Sequence, residues 1–411
     1  MRSPLICETH VLRFARVRVT NTGFLLVVLT LITLFWSIRY STAVDRGSDS
    51  GLLMFFLSLI LLTLLAFFVL NRFLSIYVSF ELSVIPIFII VIGWGYQRER
   101  LAAGLNLLFY TLTASIPLLV SFIWIRFNLS TSTWHSPILD NSANLTSLGF
   151  IFRATVFLAF AVKLPLFGVH MWLPKAHVEA PVIGSIALAA ILLKLGRYGL
   201  WLFLPFYFSQ KFVGGWFSLS MLGALSVRIL CLRLRDLKII IAYSSVGHMG
   251  LMAASLFMAT KVGMSGALFI ILAHGMRSSA IFIMAYVLYQ ANHSRSLLLT
   301  KGIISWCRTT PLFWFLILIA NIASPPTFNL LAEVLVITRI VAANKMNAVL
   351  MVIIIIARTG YSLIMYRSTM QGVPALTSLR RLTLLSDLLI FFNHIVWVFL
   401  IILGLGVARL S

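Results

Sequence analysis

Long apolar runs alternate with short polar stretches along the whole chain. Runs of about 18 or more apolar residues are long enough to cross a bilayer as helices. The pattern predicts about twelve transmembrane helices, with approximate spans of 21–38, 52–70, 72–95, 101–125, 149–172, 179–204, 213–232, 237–258, 262–290, 311–340, 347–367 and 385–408. We therefore expect an all-α polytopic membrane protein.

Two of the apolar runs contain helix breaks. Lys163-Leu164-Pro165 interrupts the run 149–172, and Ser324-Pro325-Pro326 interrupts the run 311–340. Proline removes a backbone donor, and in lipid the freed groups need partners from protein or water. A proline kink would explain either segment alone. Both segments also hold an ionisable residue, and paired broken helices are typical of transporters built from repeats.

Composition and charge agree with a membrane protein. The chain is 61% hydrophobic and only 10% charged, against about 25% charged in soluble domains, which leaves no room for a large soluble domain. The net charge of +22 does not indicate nucleic-acid binding, because the basic residues fall in short loops that set topology. The predicted loops on one side, which we expect to face the matrix or cytoplasm, hold Arg98, Arg100, Arg228, Arg233, Arg235, Lys238, Lys301, Arg308, Arg380 and Arg381.

Cofactor and metal signatures do not occur in the sequence. There is no Gly-rich phosphate loop, nucleotide fingerprint or pair of closely spaced cysteines, so we expect no redox cofactor or ATP site in this chain. His170, His177 and Glu179 fall in a predicted loop without the regular spacing of metal ligands, and we interpret the segment as the start of the next helix. The first twenty residues resemble a transit peptide in composition, but a short basic arm beside the membrane is the favoured interpretation.

Charged residues near the middle of apolar runs are the strongest indication of function. Glu81, Lys163, Lys194 and Glu333 occupy such positions, and a charge at the bilayer centre costs roughly 2.5–3.5 kcal/mol on the mildest scales. A Lys–Glu pair that can separate is a two-state device for holding and releasing a proton. Other roles stay open: a protonated, hydrogen-bonded Glu81, snorkelling lysines, and a Glu333 that caps backbone donors freed by the break.

Two histidines also lie inside apolar runs, on successive predicted helices. His248 lies in Val246-Gly247-His248-Met249, and His274 lies in Ala273-His274-Gly275. Histidine titrates near neutral pH, so two neighbouring residues would suit a proton relay. Each histidine could instead make a simple hydrogen-bonded helix contact.

Several stretches closely resemble the M-type antiporter-like subunits of NADH–ubiquinone oxidoreductase (respiratory complex I). The resemblance runs from about 52 to 366 and is carried by Phe80-Glu81-Leu82 with Ile85-Pro86, Arg98-Glu99-Arg100-Leu101, Val162-Lys163-Leu164-Pro165, His177-Val178-Glu179-Ala180-Pro181, Leu192-Leu193-Lys194-Leu195-Gly196, Asp236-Leu237-Lys238, Ile241-Ala242-Tyr243-Ser244-Ser245, Ala273-His274-Gly275, Pro325-Pro326 and Asn329-Leu330-Leu331-Ala332-Glu333.

The resemblance implies a fold of two inverted five-helix antiporter-like repeats, each with a broken helix. The repeats would cover 52–204 and 205–367, after an N-terminal arm and helix in 1–51 and before a loop and C-terminal helix in 368–411. The family usually has fourteen helices, and the missing pair would lie outside the proton path.

The resemblance also implies a proton path in the inner mitochondrial membrane, driven by quinone reduction elsewhere in the complex. Glu81 would pair with Lys163, Lys194 would be the central relay, and His248 and His274 would connect it with Glu333, the terminal proton site. NADH, FMN, iron–sulfur clusters and ubiquinone would bind partner subunits. The expected neighbours include the two sister antiporter-like subunits, chains 2 and 5, and lipids.

Two further points belong to this resemblance. Arg197 stands where the family usually has glycine, and Arg277 stands where it usually has an uncharged residue. These arginines would either lower the proton affinity of nearby Lys or His side chains or snorkel towards the membrane surface. The alternative function is a subunit of a multi-subunit cation/proton antiporter, which shares these charges.

Overall fold

The computed structural model describes residues 10–14, 17–44, 50–129, 149–204, 210–305, 309–373 and 385–400. Helices lie in all twelve of the predicted apolar runs. In the first half they are α1 Asn21–Val44, α2 Ser50–Val69, α3 Phe73–Leu82, α4 Val84–Trp94, α5 Arg100–Leu129, α6 Gly149–Lys163, α7 Trp172–Glu179, α8 Val182–Ala187, a π-helical turn Leu188–Leu192 and α9 Leu193–Leu202. In the second half they are α10 Gln210–Arg233, α11 Leu237–Phe257, α12 Lys261–Asn292, α13 Thr309–Ile322, α14 Phe328–Ala343, α15 Asn347–Met370 and α16 Leu385–Leu400.

These helices confirm the predicted all-α membrane fold. The described residues contain nine spans that are long and apolar enough to cross a membrane, and two of these spans join consecutive helical segments. In each half, two spans and a long third helix precede a broken helix and a closing span, as the proposed repeats require. In the first half α3 and α4 together form the second of these spans. The repeat boundaries stay a prediction. The predicted end of the last helix, beyond residue 400, lies outside the described residues.

A short β-hairpin before α1 was not predicted. His10–Phe14 pairs in antiparallel fashion with Val17–Thr20. The hairpin lies within the predicted basic arm, most of which falls outside the described residues.

The centre of the bundle consists of three segments that are buried almost throughout. The spans Val182–Leu202 and Lys261–Asn292 are fully buried in their most apolar windows, and Leu237–Phe257 is 89% buried. The outer spans, such as Ser50–Val69, are only 39% buried and expose large apolar side chains, as a lipid-facing surface requires. The central segments carry Lys194, His248 and His274, so these residues lie far from lipid.

The first helix break lies where the sequence predicts it. Helix α6 ends at Lys163, and the chain resumes as α7 at Trp172. Because Pro165 cannot donate a hydrogen bond, the freed carbonyls find other donors: the Ala161 carbonyl accepts from Leu166 N at 3.1 Å, and the Val162 carbonyl accepts from the Trp172 indole at 3.0 Å. The break is thus satisfied by protein groups, as membrane burial demands.

The second break, between α13 and α14, also lies at the predicted prolines. Helix α13 ends at Ile322 and α14 begins at Phe328. The Ile319 carbonyl accepts from Ser324 N at 3.3 Å, and the Ala320 carbonyl accepts from the Asn329 side-chain amide at 3.3 Å. A polar side chain just beyond the break therefore caps the end of the preceding helix.

The interpretation of His170, His177 and Glu179 as parts of a loop is wrong for two of them. His177 and Glu179 belong to α7, and His170 lies just before it. Pro174 is the third residue of α7, a position in the first turn where the missing N–H would have had no helical partner. Pro174 is therefore compatible with the first turn of α7 and does not interrupt the helix.

Candidate proton path

Lys163 lies at the C-terminal end of α6, where the break begins, and its side chain is fully buried. Its ammonium donates a hydrogen bond to the Phe80 carbonyl of α3. The same nitrogen lies 3.2 Å from the centroid of the Phe80 ring, in a cation–π contact. Phe80 therefore supplies two contacts to this charge.

Glu81, the partner expected for Lys163, is not paired with it in this structure. Within the described residues Glu81 makes no ion pair, and its Oε1 atom is buried without a hydrogen-bond partner. Helix α3 ends one residue later, at Leu82, and α4 begins at Val84. The two charged residues thus adopt the open arrangement of the expected pair.

Lys194 is also fully buried and lies two residues after the π-helical turn Leu188–Leu192. A π turn shifts backbone hydrogen bonds by one residue and commonly marks functional sites. The Lys194 ammonium donates to the Ala189 carbonyl at 2.7 Å and lies 3.4 Å from Nδ1 of His274. The turn therefore offers a backbone acceptor that holds the lysine beside the histidine.

A row of buried groups continues from His274 to Glu333. The rings of His274 and His248 have centroids 6.1 Å apart, and Nδ1 of His248 lies 3.8 Å from Oε1 of Glu333. Both histidines are 1% exposed and Glu333 is 5% exposed. The structure thus brings together the four predicted residues from Lys194 to Glu333, which belong to four different helical segments.

Arg358 is a member of this site that the sequence reasoning missed. It lies in α15, is 3% exposed, and forms an ion pair with Oε1 of Glu333. The same oxygen accepts from the Asn329 amide at 3.2 Å, which ties Glu333 to the helix break. A charged residue within the apolar run 347–367 was the signal that could have found Arg358.

Arg197 and Arg277 are buried within the protein, so the snorkelling alternative is wrong for both. Arg197 is 1% exposed and donates to the Met264 carbonyl at 3.5 Å. Arg277 is 2% exposed, and its Nε and Nη1 atoms have no hydrogen-bond partner within the described residues. Arg228, expected in a basic loop, lies instead inside α10 at 0% exposure.

Arg228 permits a test of what these buried cations cost. Its Nε, Nη1 and Nη2 atoms are buried without hydrogen-bond partners in the described part of the chain. Burying such a charge without a partner is unfavourable, so we expect Arg228→Met to raise the free energy of unfolding by about 1–4 kcal/mol. Thermal unfolding of the purified protein would measure the change. The exposed Arg367 of α15 provides the control Arg367→Met, and a less stable Arg228→Met variant would contradict the expectation.

Gly196 joins the two lysine-bearing segments by close backbone contact. A Cβ at this position would lie 2.6 Å from Leu164 N and 2.9 Å from Lys163 C, so only glycine allows α9 to pack against the end of α6.

We expect Gly196→Ala to destabilise the fold by about 1–3 kcal/mol through overpacking and to lower the amount of assembled protein. Native-gel quantification would measure the loss. Gly214→Ala is the matched control because a Cβ there meets nothing within 4 Å. Equal assembly of the two variants would show that the close contact is unnecessary.

A cavity lies where the C-terminal half of α12 meets the start of α11. The cavity holds about 310 Å³ and is lined by residues that include Ser185, Lys238, Phe282 and Arg295. The His177 ring stacks on Phe282 at 4.7 Å, and both of its nitrogens are buried without hydrogen-bond partners in the described structure. Among the described residues, no group of three or more His, Cys, Asp or Glu side chains converges as metal ligands would.

The buried row and the two broken helices define an antiporter-like membrane protein. A family model described as "NADH:quinone oxidoreductase/Mrp antiporter, TM" matches residues 71–359. The chain belongs to this family, which confirms the resemblance found in the sequence.

Individual relatives agree with this membership. NADH-ubiquinone oxidoreductase chain 4 of Aedes aegypti is 42% identical over 298 residues, an alignment that covers 72% of this chain and 66% of the relative. The chain 4 protein of Ceratitis capitata is 39% identical over 362 residues, covering 85% and 79%. The alignments therefore take in about two thirds to four fifths of the relatives' own lengths.

Two solved structures share the fold. A chain of respiratory complex I from Thermus thermophilus with bound NADH superposes with a TM-score of 0.85 at 22% identity, covering 97% of this chain and 86% of that chain. A chain of the Mrp complex from Dietzia sp. gives a TM-score of 0.83 at 17% identity, covering 97% and 45%. At these identities the likeness establishes the fold alone.

Proposed function

We propose that this chain is a proton-translocating membrane-arm subunit of NADH:ubiquinone oxidoreductase. The observation that carries the proposal is the buried row from Lys194 through His274 and His248 to Glu333, with successive separations of 3.4, 6.1 and 3.8 Å. The 6.1 Å step joins ring centroids, and a water molecule could bridge the ring nitrogens there. Groups that change charge within such reach can pass a proton along the row.

The two halves of the site have separate tasks in this proposal. Lys163 alternates between Phe80 and Glu81, and this movement changes the electric field at Lys194. Lys194 exchanges its proton with His274, and Glu333 is the terminal site, with its negative charge balanced by Arg358. Quinone reduction elsewhere in the complex drives the cycle.

The finer placement of the chain is part of the same proposal. The subunit lies in the inner mitochondrial membrane beside its sister antiporter-like subunits, chains 2 and 5. NADH, FMN, the iron–sulfur clusters and ubiquinone bind partner subunits. The names of the chain 4 relatives support this placement.

Native-gel separation after gentle detergent extraction tests the assignment, with mass spectrometry of the proteins that migrate with this chain. We expect NADH dehydrogenase activity, flavin-bearing subunits and the sister subunits in the same band. Migration with small antiporter subunits and without flavin would instead identify a cation/proton antiporter. This alternative is retained because the fold also resembles a chain of the Mrp complex. The quinone-driven mechanism would then be wrong.

A further inference from the structure

Phe80 holds the Lys163 ammonium in a defined place, separate from Glu81. The ammonium both donates to the Phe80 carbonyl and lies 3.2 Å from the ring centroid. The next residue, Glu81, leaves its buried Oε1 without a partner among the described residues. A free lysine beside a carboxylate would form the ion pair, so the open arrangement needs a competing partner for the charge.

We propose that Phe80 is a positioning residue that stabilises the open state of the Glu81–Lys163 pair. This inference rests on the proposed function, in which the pair opens and closes during proton transfer. The ring face attracts the ammonium only while the lysine is charged, because the neutral amine has no cation–π interaction. Phe80 therefore favours the charged form of Lys163 and holds it away from Glu81 at the same time.

The Phe80 ring is fixed by its neighbours. It is 1% exposed and contacts the ring of Phe67 at 6.0 Å and that of Phe160 edge to face at 5.2 Å. Phe160 lies one turn before Lys163 in α6. The ring thus packs against the same helix whose terminal lysine it binds, and it cannot turn its face away without disturbing α6.

The Phe80 carbonyl can accept a hydrogen bond from Lys163 because α3 ends close to it. Helix α3 ends at Leu82 and a new helix begins at Val84, so Phe80 lies in the last turn of α3, where carbonyls lack full helical pairing. Its oxygen accepts from the Ser83 hydroxyl at 2.7 Å and from Lys163. The interruption after Leu82 therefore supplies an acceptor beside the ring face, one residue away from the competing carboxylate.

The size of the effect follows from the strength of a buried cation–π contact. Removing the ring should move the equilibrium towards the closed Glu81–Lys163 pair by about 2- to 30-fold. The carbonyl contact remains when the ring is replaced, so the change isolates the aromatic face.

Cryo-electron microscopy of the intact complex tests this inference with four variants. We expect the Lys163 ammonium to move to the Glu81 carboxylate in Phe80→Leu. In Phe80→Tyr, which keeps the ring face, we expect the ammonium to stay at residue 80. Phe122→Leu is the matched control, because Phe122 is equally buried and its ring packs on Phe73 and Phe203. If Phe80→Leu does not assemble, Phe80→Met removes the ring with a flexible side chain.

The proton yield per NADH oxidised gives a second readout. We expect the yield to fall in Phe80→Leu and to be retained in Phe80→Tyr and Phe122→Leu. A Lys163 ammonium that stays on the backbone carbonyl after the ring is removed would overturn the inference. Full pumping by Lys163→Met would instead overturn the role of this pair in the proposed function, while the position of Lys163 in the Phe80 variants would still decide whether the ring holds it.

Discussion

Lys194→Met should abolish coupled proton pumping while leaving an assembled complex. Methionine fills nearly the same volume but cannot carry a proton, and in the proposed path Lys194 is the first group of the buried row. Its ammonium lies 3.4 Å from His274 Nδ1, so its loss removes the first step of the row. Proton uptake by proteoliposomes during NADH oxidation would measure the effect, with assembly checked on native gels.

Two comparisons sharpen this prediction. Lys194→Arg keeps the charge, but a guanidinium does not release its proton in proteins, so this variant should also fail to pump if Lys194 titrates. Lys345→Met makes the same substitution at an exposed position between α14 and α15 and should pump normally. Full pumping by Lys194→Met would exclude Lys194 as the relay.

A purely structural role for the charged residues makes a different prediction. A membrane spacer would tolerate neutral substitutions at Glu81 and Lys163 without loss of pumping. The open arrangement of this pair, with a buried carboxylate oxygen unpartnered among the described residues, is costly for a spacer. A site in which Lys163 must exchange one partner for another requires such an unpaired group at some stage.

Much of this site could be predicted because membrane burial makes charges conspicuous. Lys163, Lys194 and Glu333 stand out in apolar runs, and all three are at most 5% exposed in the structure. The helix breaks were equally predictable, because proline cannot donate a backbone hydrogen bond. Both breaks lie at the predicted prolines.

Other features depend on tertiary contacts and left no local signal. The π-helical turn Leu188–Leu192 lies in a run of good helix formers, and nothing in those residues distinguishes it from an ordinary helix. The choice of Lys163 between Glu81 and Phe80 also depends on how α3 and α6 pack. Charge pairing alone favoured the carboxylate, and the aromatic face was overlooked.

Arg358 shows a different reason for a missed residue. It carries the same signal as Lys194, a charge within an apolar run, yet its role depends on Glu333, which is 25 positions away in sequence. An arginine within an apolar helix can also be interpreted as a side chain that snorkels towards the membrane surface. Only the packing of α14 against α15 distinguishes the two outcomes.

The ion pair between Arg358 and Glu333 leads to the second large effect. Removing one partner of a buried pair leaves an uncompensated charge, and we expect Arg358→Met to lower the free energy of unfolding by about 3–5 kcal/mol. The Glu333 carboxylate would retain only the hydrogen bond from Asn329 and the more distant contact with His248. These two contacts do not compensate a buried negative charge. Without its arginine partner Glu333 should no longer serve as the terminal site, and pumping should fall with stability.

A double variant separates the loss of the pair from the loss of the arginine. Arg358→Met combined with Glu333→Gln removes both charges, so we expect the double variant to be more stable than Arg358→Met alone, with a coupling energy of about 1–3 kcal/mol. Thermal release of the subunit from the complex would measure stability, and Arg367→Met, on the exposed part of the same helix, is the control. Because the double variant lacks the Glu333 carboxylate, it should regain stability without regaining pumping. Equal stability of Arg358→Met and Arg367→Met, or additive losses in the double variant, would show that the pair does not hold this end of the path together.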